Sequence, residues 1–177
     1  REALIAYLET LDADQWATPS LCGGWRFQDV AAHLAVTPTF TPVASSIDVV
    51  RAGFRPNRFI ADTAVRFARR GPDAILAQLR SNAATGARAI GIAPSATLLD
   101  SVVHALDIRR PLGSARAIPA DTLRPALSIA AGTGFPLALV MGGSILRRYA
   151  GLRLVAEDAD WSRGDWHEVR APCEVLL

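Results

Sequence analysis

One segment near the middle of the chain combines a helical pattern with two side chains of metal-binding type. Apolar residues recur at helical spacing between Leu98 and Leu106, and Pro111 follows shortly afterwards, so the sequence predicts a helix that ends there. Asp100 and His104 are four residues apart. This spacing places both side chains on one face of the helix, about 5–6 Å apart at Cβ.

The Asp100 and His104 pair has two interpretations. A carboxylate and an imidazole on a strip that also carries core leucines and valines are costly to bury, and a divalent cation would satisfy both. Alternatively, Asp100 hydrogen-bonds to His104 and fixes its tautomer. The spacing leaves both interpretations open, and a metal site would need a third ligand from another part of the chain.

Composition limits the class of protein. Half of the 177 residues are hydrophobic and 20% are charged, which is typical of one compact domain, alone or with a small appendage. The net charge is only +2 and the basic residues are scattered, so we expect no nucleic-acid partner. Cys22 and Cys173 show no CxxC spacing. We therefore predict neither a disulfide framework nor a thiolate zinc cluster, and we expect a reducing, cytoplasmic location.

Helical periodicity, interrupted by proline and glycine, dominates the first 110 residues. Between two of the predicted helices, a Pro- and Gly-containing loop with two tryptophans, residues 16–25, is expected to be ordered. The sequence starts without methionine or a signal segment, so we expect it to begin inside a longer chain. The predicted helices cover residues 1–11, 26 to the break at 38, 45–52, 58–69, and 73–89 with closure at 91.

The last third of the chain changes character. Residues 127–146 carry no charge, but glycines and a proline interrupt them, so we predict two short buried helices meeting near Phe135 rather than a membrane span. Alternating residues in 152–156 and 166–170 predict a β-hairpin, followed by a short helix over 172–177. The predicted fold is therefore mainly α, with a helical bundle over residues 1–150 and a β-hairpin appendage over 151–177.

The second predicted helix carries His33 on an apolar face. A lone histidine in that position is more often a hydrogen-bonded core residue than a ligand. Asp29, four residues earlier, lies in the first turn of the helix, where free backbone N–H groups favour a carboxylate. We therefore interpret Asp29 as a capping residue and not as a ligand.

Four motifs occur in a specific order. They are Pro-Ser-Leu-Cys-Gly-Gly-Trp at 19–25, Asp-Val-Ala-Ala-His-Leu at 29–34, an Asp-x-x-x-His-x-x-Asp-Ile-x-x-Pro-Leu-Gly segment at 100–113, and Gly-Leu-Arg-Leu ahead of Asp-Ala-Asp-Trp at 151–161. Together they resemble the actinobacterial branch of the DinB-like superfamily, the maleylpyruvate isomerase family of mycothiol-dependent enzymes. The resemblance covers nearly the whole chain, and residues 39–58 match it poorly.

The resemblance implies a DinB-like four-helix bundle that holds a divalent metal, commonly zinc. Carried over to this sequence, the metal ligands are His33, Asp100 and His104. Two positions differ from the family: Arg26 stands where Ser or Thr usually caps the second helix, which leaves the capping box incomplete, and Asp100 stands where glutamate is frequent. With the shorter Asp100, the metal would have to lie closer to that helix.

The resemblance further implies a metal-dependent thiol S-transferase or isomerase. Three protein ligands leave one position open, as in catalytic zinc sites, and a thiol in that position would be held as the nucleophilic thiolate. Mycothiol is the implied thiol and a small electrophile the implied substrate, although two histidines and a carboxylate also suit iron(II). We expect no membrane partner, and a homodimer is left open.

Two rival interpretations remain. Cys22 is a candidate nucleophile, but it has no histidine nearby in the sequence, so we disfavour it and assign no catalytic residue. The second rival is a non-enzymatic bundle that binds a metal or a small ligand as a sensor or interaction domain. Arg88 and Arg109 are interpreted as helix-end charges and receive no role in substrate binding.

Overall fold

The structure is a computed structural model that describes residues 1–113, 118–134 and 148–177. By its internal contacts the chain divides into two compact units, residues 1–114 and 115–177. The first unit is helical, whereas the second contains helices and a small sheet. The mainly α fold class with a small C-terminal β element is confirmed. The domain boundary that the sequence predicts after residue 150 stays a prediction.

The first unit contains seven α-helices in its described residues. Four of them begin on proline, because its fixed φ and missing N–H suit the first helical position. Short 3₁₀ turns follow α3 and α7. The helices are α1 (Glu2–Leu8), α2 (Ala13–Ala17), α3 (Phe27–Val36), α4 (Pro42–Arg51), α5 (Pro56–Ala68), α6 (Pro72–Thr85) and α7 (Pro94–Arg109).

Helix α3 lies at the centre of this unit. Its residues Phe27, Val30 and Ala31 are fully buried, and the helix packs against α5, α6 and α7. The sequence explains the burial on several faces, because apolar residues and small alanines occupy most positions and let the neighbouring helices approach closely. His33 is therefore held on the most enclosed helix of the unit.

Polar groups fix the neighbours of α3. Asn82 on α6 is buried, and its Nδ2 donates to the Ala35 carbonyl of α3 at 2.8 Å. Arg109, near the end of α7, is also buried: its guanidinium lies 4.8 Å from the Tyr7 ring centroid and donates to the Ala3 carbonyl of α1. The interpretation of Arg109 as a helix-end charge is therefore incomplete, because it also ties α7 to α1.

Several predicted helix ends are displaced. Helix α6 ends at Thr85 rather than near 89, because Gly86 adopts a left-handed conformation (φ 64°) and the Ala87 N–H returns to the Asn82 carbonyl. Helix α1 ends at Leu8 rather than at 11. In contrast, α3 starts where expected, and the Arg26 N–H donates to the Asp29 carboxylate at 2.9 Å. The predicted capping role of Asp29 is thus observed, without the reciprocal half that Ser or Thr would supply.

In its described residues, the second unit contains α8 (Ala120–Gly132), three strands and a terminal helix α9 (Cys173–Leu176). The strands β1 (Leu152–Ala156), β2 (Ser162–Gly164) and β3 (His167–Ala171) form one sheet in the order β2-β1-β3. Helix α9 packs against α8 and β1. The Trp161 indole donates to Ser128, and the Tyr149 hydroxyl donates to the Ala131 carbonyl.

The pairing of the strands differs from the predicted hairpin. The antiparallel partner of β1 is β2, whereas β3, which largely coincides with the second predicted strand, runs parallel to β1. Two residues carry the chain from β2 to β3, and the turn has positive φ at Gly164 (95°) and at Trp166 (84°). A Cβ at Gly164 would collide with the Leu152 carbonyl, so only glycine fits this crossing.

The uncharged segment 127–146 lies only partly in the described residues. Its first part forms the end of α8, where Leu127 and Ala131 are buried. The predicted junction of two helices near Phe135 lies outside the described residues. In the part of the chain that the structure describes, no helix is both long and apolar enough to cross a membrane.

Candidate metal centre

The three predicted ligands lie together where α3 faces α7. The Asp100 Oδ1 atom lies 3.3 Å from His33 Nε2 and 3.4 Å from His104 Nε2. The two imidazole rings meet edge to face with their centroids 4.9 Å apart. The structure therefore brings together one side chain from α3 and two from successive turns of α7.

The partners of the other ring nitrogens define both tautomers. The Thr37 hydroxyl donates its single proton to the His33 carbonyl at 2.8 Å, so at 3.2 Å from His33 Nδ1 it can only accept. The Asp107 carboxylate, 2.8 Å from His104 Nδ1, is likewise an acceptor. Both Nδ1 atoms therefore carry protons. Each neutral imidazole would direct an Nε2 lone pair towards Asp100.

This arrangement leaves two lone pairs and a carboxylate facing one another. Such a cluster requires a positive charge, either a proton on an imidazole or a cation. Without a cation, burial alone would lower the pKa of His104, but hydrogen bonds with Asp100, Asp107 and Cys22 outweigh burial and raise this pKa to about 12. Burial would raise the pKa of the Asp100 carboxyl, yet the hydrogen bonds with the two histidines lower it.

The ligand separations fit a tetrahedral ion. Bonds of about 2.0–2.1 Å from zinc to nitrogen and oxygen place tetrahedral ligand atoms about 3.3 Å apart. The two Nε2 to Oδ1 separations, 3.3 and 3.4 Å, equal this edge length. One donor atom from each of the three residues lies within 4.8 Å of the others. Asp100 is thus long enough to share an ion with both histidines.

The centre is enclosed on one side and open on another. His33 and His104 retain 7% and 18% of their side-chain surface, whereas Asp100 retains 35%. The Trp25 ring lies 5.5 Å from the His33 ring and 6.4 Å from the His104 ring, measured between centroids. Trp25 therefore shields the imidazoles, and Asp100 lies on the side that solvent reaches.

Cys22 has partners in space that its place in the sequence does not reveal. Although 82 residues separate it from His104, its Sγ lies 3.6 Å from His104 Nδ1 and 3.1 Å from Asp107 Oδ2. A histidine that is distant in the sequence is therefore close to Cys22 in space, and the disfavoured role of Cys22 as a nucleophile stays a prediction. Asp107 and Thr37 were also missed, and the available signal was their spacing of three and four residues after a candidate histidine ligand.

The fold and the cluster together define a class of protein. It is a helical bundle in which two packed helices carry a candidate metal site of two histidines and one carboxylate. The sequence profile described as "mycothiol maleylpyruvate isomerase N-terminal domain" matches residues 1–122. The chain belongs to this family, which confirms the predicted DinB-like helical fold. Among curated proteins and among solved structures, none matches the chain.

Proposed function

We propose that this protein is a metal-dependent enzyme that uses a small thiol, with His33, Asp100 and His104 as the ligands. The observation that carries the proposal is that His33 Nε2 and His104 Nε2 both lie at the edge length of a zinc tetrahedron, 3.3 and 3.4 Å, from one Asp100 oxygen. Zinc is the metal that we favour, because nitrogen and oxygen donors in this geometry suit it.

The chemistry is that of thiol activation. A divalent cation with one open position lowers the pKa of a bound thiol and holds it as the nucleophilic thiolate near neutral pH. Membership of the mycothiol maleylpyruvate isomerase family supports mycothiol as the thiol and a small electrophile such as maleylpyruvate as its acceptor. The reaction would be an isomerisation or an S-transfer.

The chain's own residues prepare the site. Thr37 and Asp107 accept hydrogen bonds from the Nδ1–H groups of His33 and His104, which keeps the Nε2 atoms directed towards the proposed metal. Trp25 packs against both imidazoles and excludes water from that side. The partial exposure of Asp100 marks the side from which a thiol and an electrophile would enter.

Elemental analysis of protein purified without chelator tests the metal. We expect about one zinc per chain in the wild type and a near-complete loss in His104→Ala, because two remaining ligands bind too weakly. His167→Ala is the matched control, since His167 is an exposed residue of β3. Metal-free wild-type protein, or equal metal content in both variants, would contradict the proposal.

Activity is tested separately. Zinc-loaded protein with mycothiol should convert maleylpyruvate, and mycothiol should raise the melting temperature of the zinc-loaded form only, because a ligand stabilises the state that it binds. Stoichiometric zinc with equal thermal shifts in the loaded and metal-free forms would leave the non-enzymatic, metal-binding bundle as the function.

A further inference from the structure

Cys22, Asp107 and His104 form a chain of contacts on the far side of the His104 ring from Asp100. One carboxylate oxygen, Asp107 Oδ2, lies 2.8 Å from His104 Nδ1 and 3.1 Å from Cys22 Sγ. A thiol S–H and an imidazole N–H are both donors, and a carboxylate oxygen accepts two hydrogen bonds readily. The geometry therefore places two donors on a single acceptor.

The same three groups are also a candidate second metal site, and the distances decide between the two interpretations. A zinc ion with bonds of about 2.3 Å to sulfur and 2.0–2.1 Å to nitrogen and oxygen needs N···O near 3.3 Å and S···O near 3.6 Å. The observed 2.8 and 3.1 Å are shorter than these edges and match hydrogen bonds. The carboxylate of Asp107 is thus hydrogen-bonded directly to His104 and Cys22, without an ion between them.

The loop that carries Cys22 is fixed against α7. The Cys22 N–H donates to the Ser20 hydroxyl at 3.1 Å, and that hydroxyl lies 2.9 Å from the Trp25 carbonyl that it donates to. The Leu21 N–H donates to the backbone carbonyl of Asp107 at 3.2 Å. The loop backbone is therefore attached to the residue whose carboxylate meets the Cys22 thiol, so the thiol is held in place from two directions.

We infer that Cys22 is a positioning residue of the metal centre, whose S–H donates to Asp107 and holds that carboxylate against His104 Nδ1. Through Asp107, the thiol fixes the orientation of the His104 ring and the direction of its Nε2. Cys22 is neither a ligand nor the nucleophile in this assignment. The inference deepens the proposed function, since the consequence for metal affinity rests on the ligand set proposed above.

Substitutions at Cys22 separate the donor from the side-chain volume. Cys22→Ser keeps a donor, Cys22→Val fills the space without one, and Cys22→Ala removes both. In a chelator competition, we expect the Val and Ala variants to bind zinc about tenfold more weakly or worse, because loss of a residue that orients a ligand has an effect of this size. The zinc affinity of the Ser variant should stay near that of wild type. Cys173→Ser, the other free cysteine, is the matched control with unchanged affinity.

Two spectroscopic readouts complete the test. In the cobalt-substituted wild type, we expect no sulfur-to-cobalt charge-transfer band. In metal-free protein, ¹H–¹⁵N spectra should show a shifted His104 Nδ1–H resonance in Cys22→Val but not in Cys22→Ser, while the exposed His167 stays unchanged. A charge-transfer band that disappears with Cys22, or equal zinc affinity and an unchanged His104 resonance in Cys22→Val, would overturn the inference.

The two proposals fail in different ways. Wild-type protein that binds no metal contradicts the proposed function, whereas the metal-free resonance still decides whether Cys22 holds Asp107. Normal zinc binding with an unaffected His104 resonance in the Val variant contradicts the role of Cys22 alone. If the Val and Ala variants do not fold, two measurements still test the inference. The cobalt spectrum of the wild type decides whether sulfur is a ligand, and the zinc affinity of Cys22→Ser decides whether a hydroxyl donor can replace the thiol in holding Asp107.

Discussion

Asp107 is not one of the proposed metal ligands, yet it fixes the orientation of the His104 ring. Its Oδ2 atom, 2.8 Å from His104 Nδ1, accepts a hydrogen bond from Nδ1–H and so fixes which nitrogen faces Asp100. An amide in its place would accept the same hydrogen bond without the negative charge that strengthens it. Residues of this kind orient a ligand and raise its basicity, and their loss weakens metal binding without removing a ligand.

We predict that Asp107→Asn lowers zinc affinity by about 10–100-fold while the protein stays folded. A chelator competition measures the affinity, and circular dichroism monitors the fold. Asp62→Asn is the control, because Asp62 is a mostly exposed carboxylate that pairs with Arg58 on α5. Equal affinities in the two variants would show that the charge at position 107 has no part in the centre.

A second carboxylate, Asp158, makes the stability of the fold depend on pH. Asp158 caps α9, because its Oδ1 accepts a hydrogen bond from the Cys173 backbone N–H at 2.7 Å. Hydrogen bonds with the Cys173 thiol and backbone hold the pKa of the Asp158 carboxyl below its usual range. The pKa of Asp158 is lower in the folded protein than in the unfolded chain, where it is about 3.9. The ionised carboxylate therefore stabilises the fold at pH values above about 3.9, and this stabilisation is lost as the pH falls through the folded-state pKa.

We therefore predict that Asp158→Asn is less stable than wild type at neutral pH and that the difference shrinks as the pH falls below about 4. Thermal melts across that range measure it. Asp160→Asn, an exposed neighbour in the same turn, should show no such pH-dependent difference. A difference that persists undiminished in acid would rule out the charge of Asp158 as its cause.

The three residues of the candidate centre differ in how far the sequence alone predicts them. Asp100 and His104 are recognisable from local spacing, because a helix brings positions four apart onto one face. His33 needed the family resemblance, since nothing in its own surroundings distinguishes a ligand from a core histidine. The contact of Cys22 with His104 could not be predicted, because the two residues are 82 positions apart and meet only through the way the loop is attached to α7.

At the scale of elements, the position of α3 depends on polar ties as well as on packing. The Asn82 side chain donates to the Ala35 carbonyl near the end of α3 and accepts from Gln78 on its own helix. The Ala35 carbonyl lies in the last turn of α3, where carbonyls lack partners within the helix. Asn82 thus satisfies a buried carbonyl two residues from His33.

Asn82→Ala is expected to lower the free energy of unfolding by about 1–3 kcal/mol, because it leaves this buried carbonyl without its donor. Urea denaturation measures the change. The control Asn57→Ala, at an exposed position near the start of α5, should stay within about 0.5 kcal/mol of wild type. A neutral result for Asn82→Ala would mean that water replaces the side chain at the Ala35 carbonyl.

The elements were predictable where local signals dominate. Proline and glycine divide the first 110 residues into segments with recurring apolar residues, so α3 to α7 were predicted to within a few residues. Four of these prolines are the first residues of α4 to α7. Two of the three strands, β1 and β3, were located, whereas β2 lies in the segment between them that was predicted as a turn. The predicted hairpin makes 152–156 and 166–170 antiparallel neighbours, but β2 intervenes, and the turn at Gly164 and Trp166 takes β3 to the opposite edge of β1, parallel to it.

At the scale of the whole molecule, all proposed ligands belong to the unit formed by residues 1–114. An ion that binds only the folded form stabilises it by about 2.7 kcal/mol when its free concentration is 100 times the Kd. We predict that zinc slows hydrogen exchange in α3 and α7, the helices that carry the ligands. The same addition to His33→Ala should have little effect, whereas His167→Ala should respond like wild type. Unchanged exchange in wild type would contradict a bound ion.

The ligands on α3 and α7 come from distant parts of the chain, since 67 residues separate His33 from Asp100. An ion held by both would close a long loop, and a covalent cross-link over that span contributes about 4 kcal/mol by restricting the unfolded chain. All three ligands meet only once α3 and α7 have docked. Loading of the ion would then be a late event in folding, and the bound ion would in turn oppose the separation of the two helices.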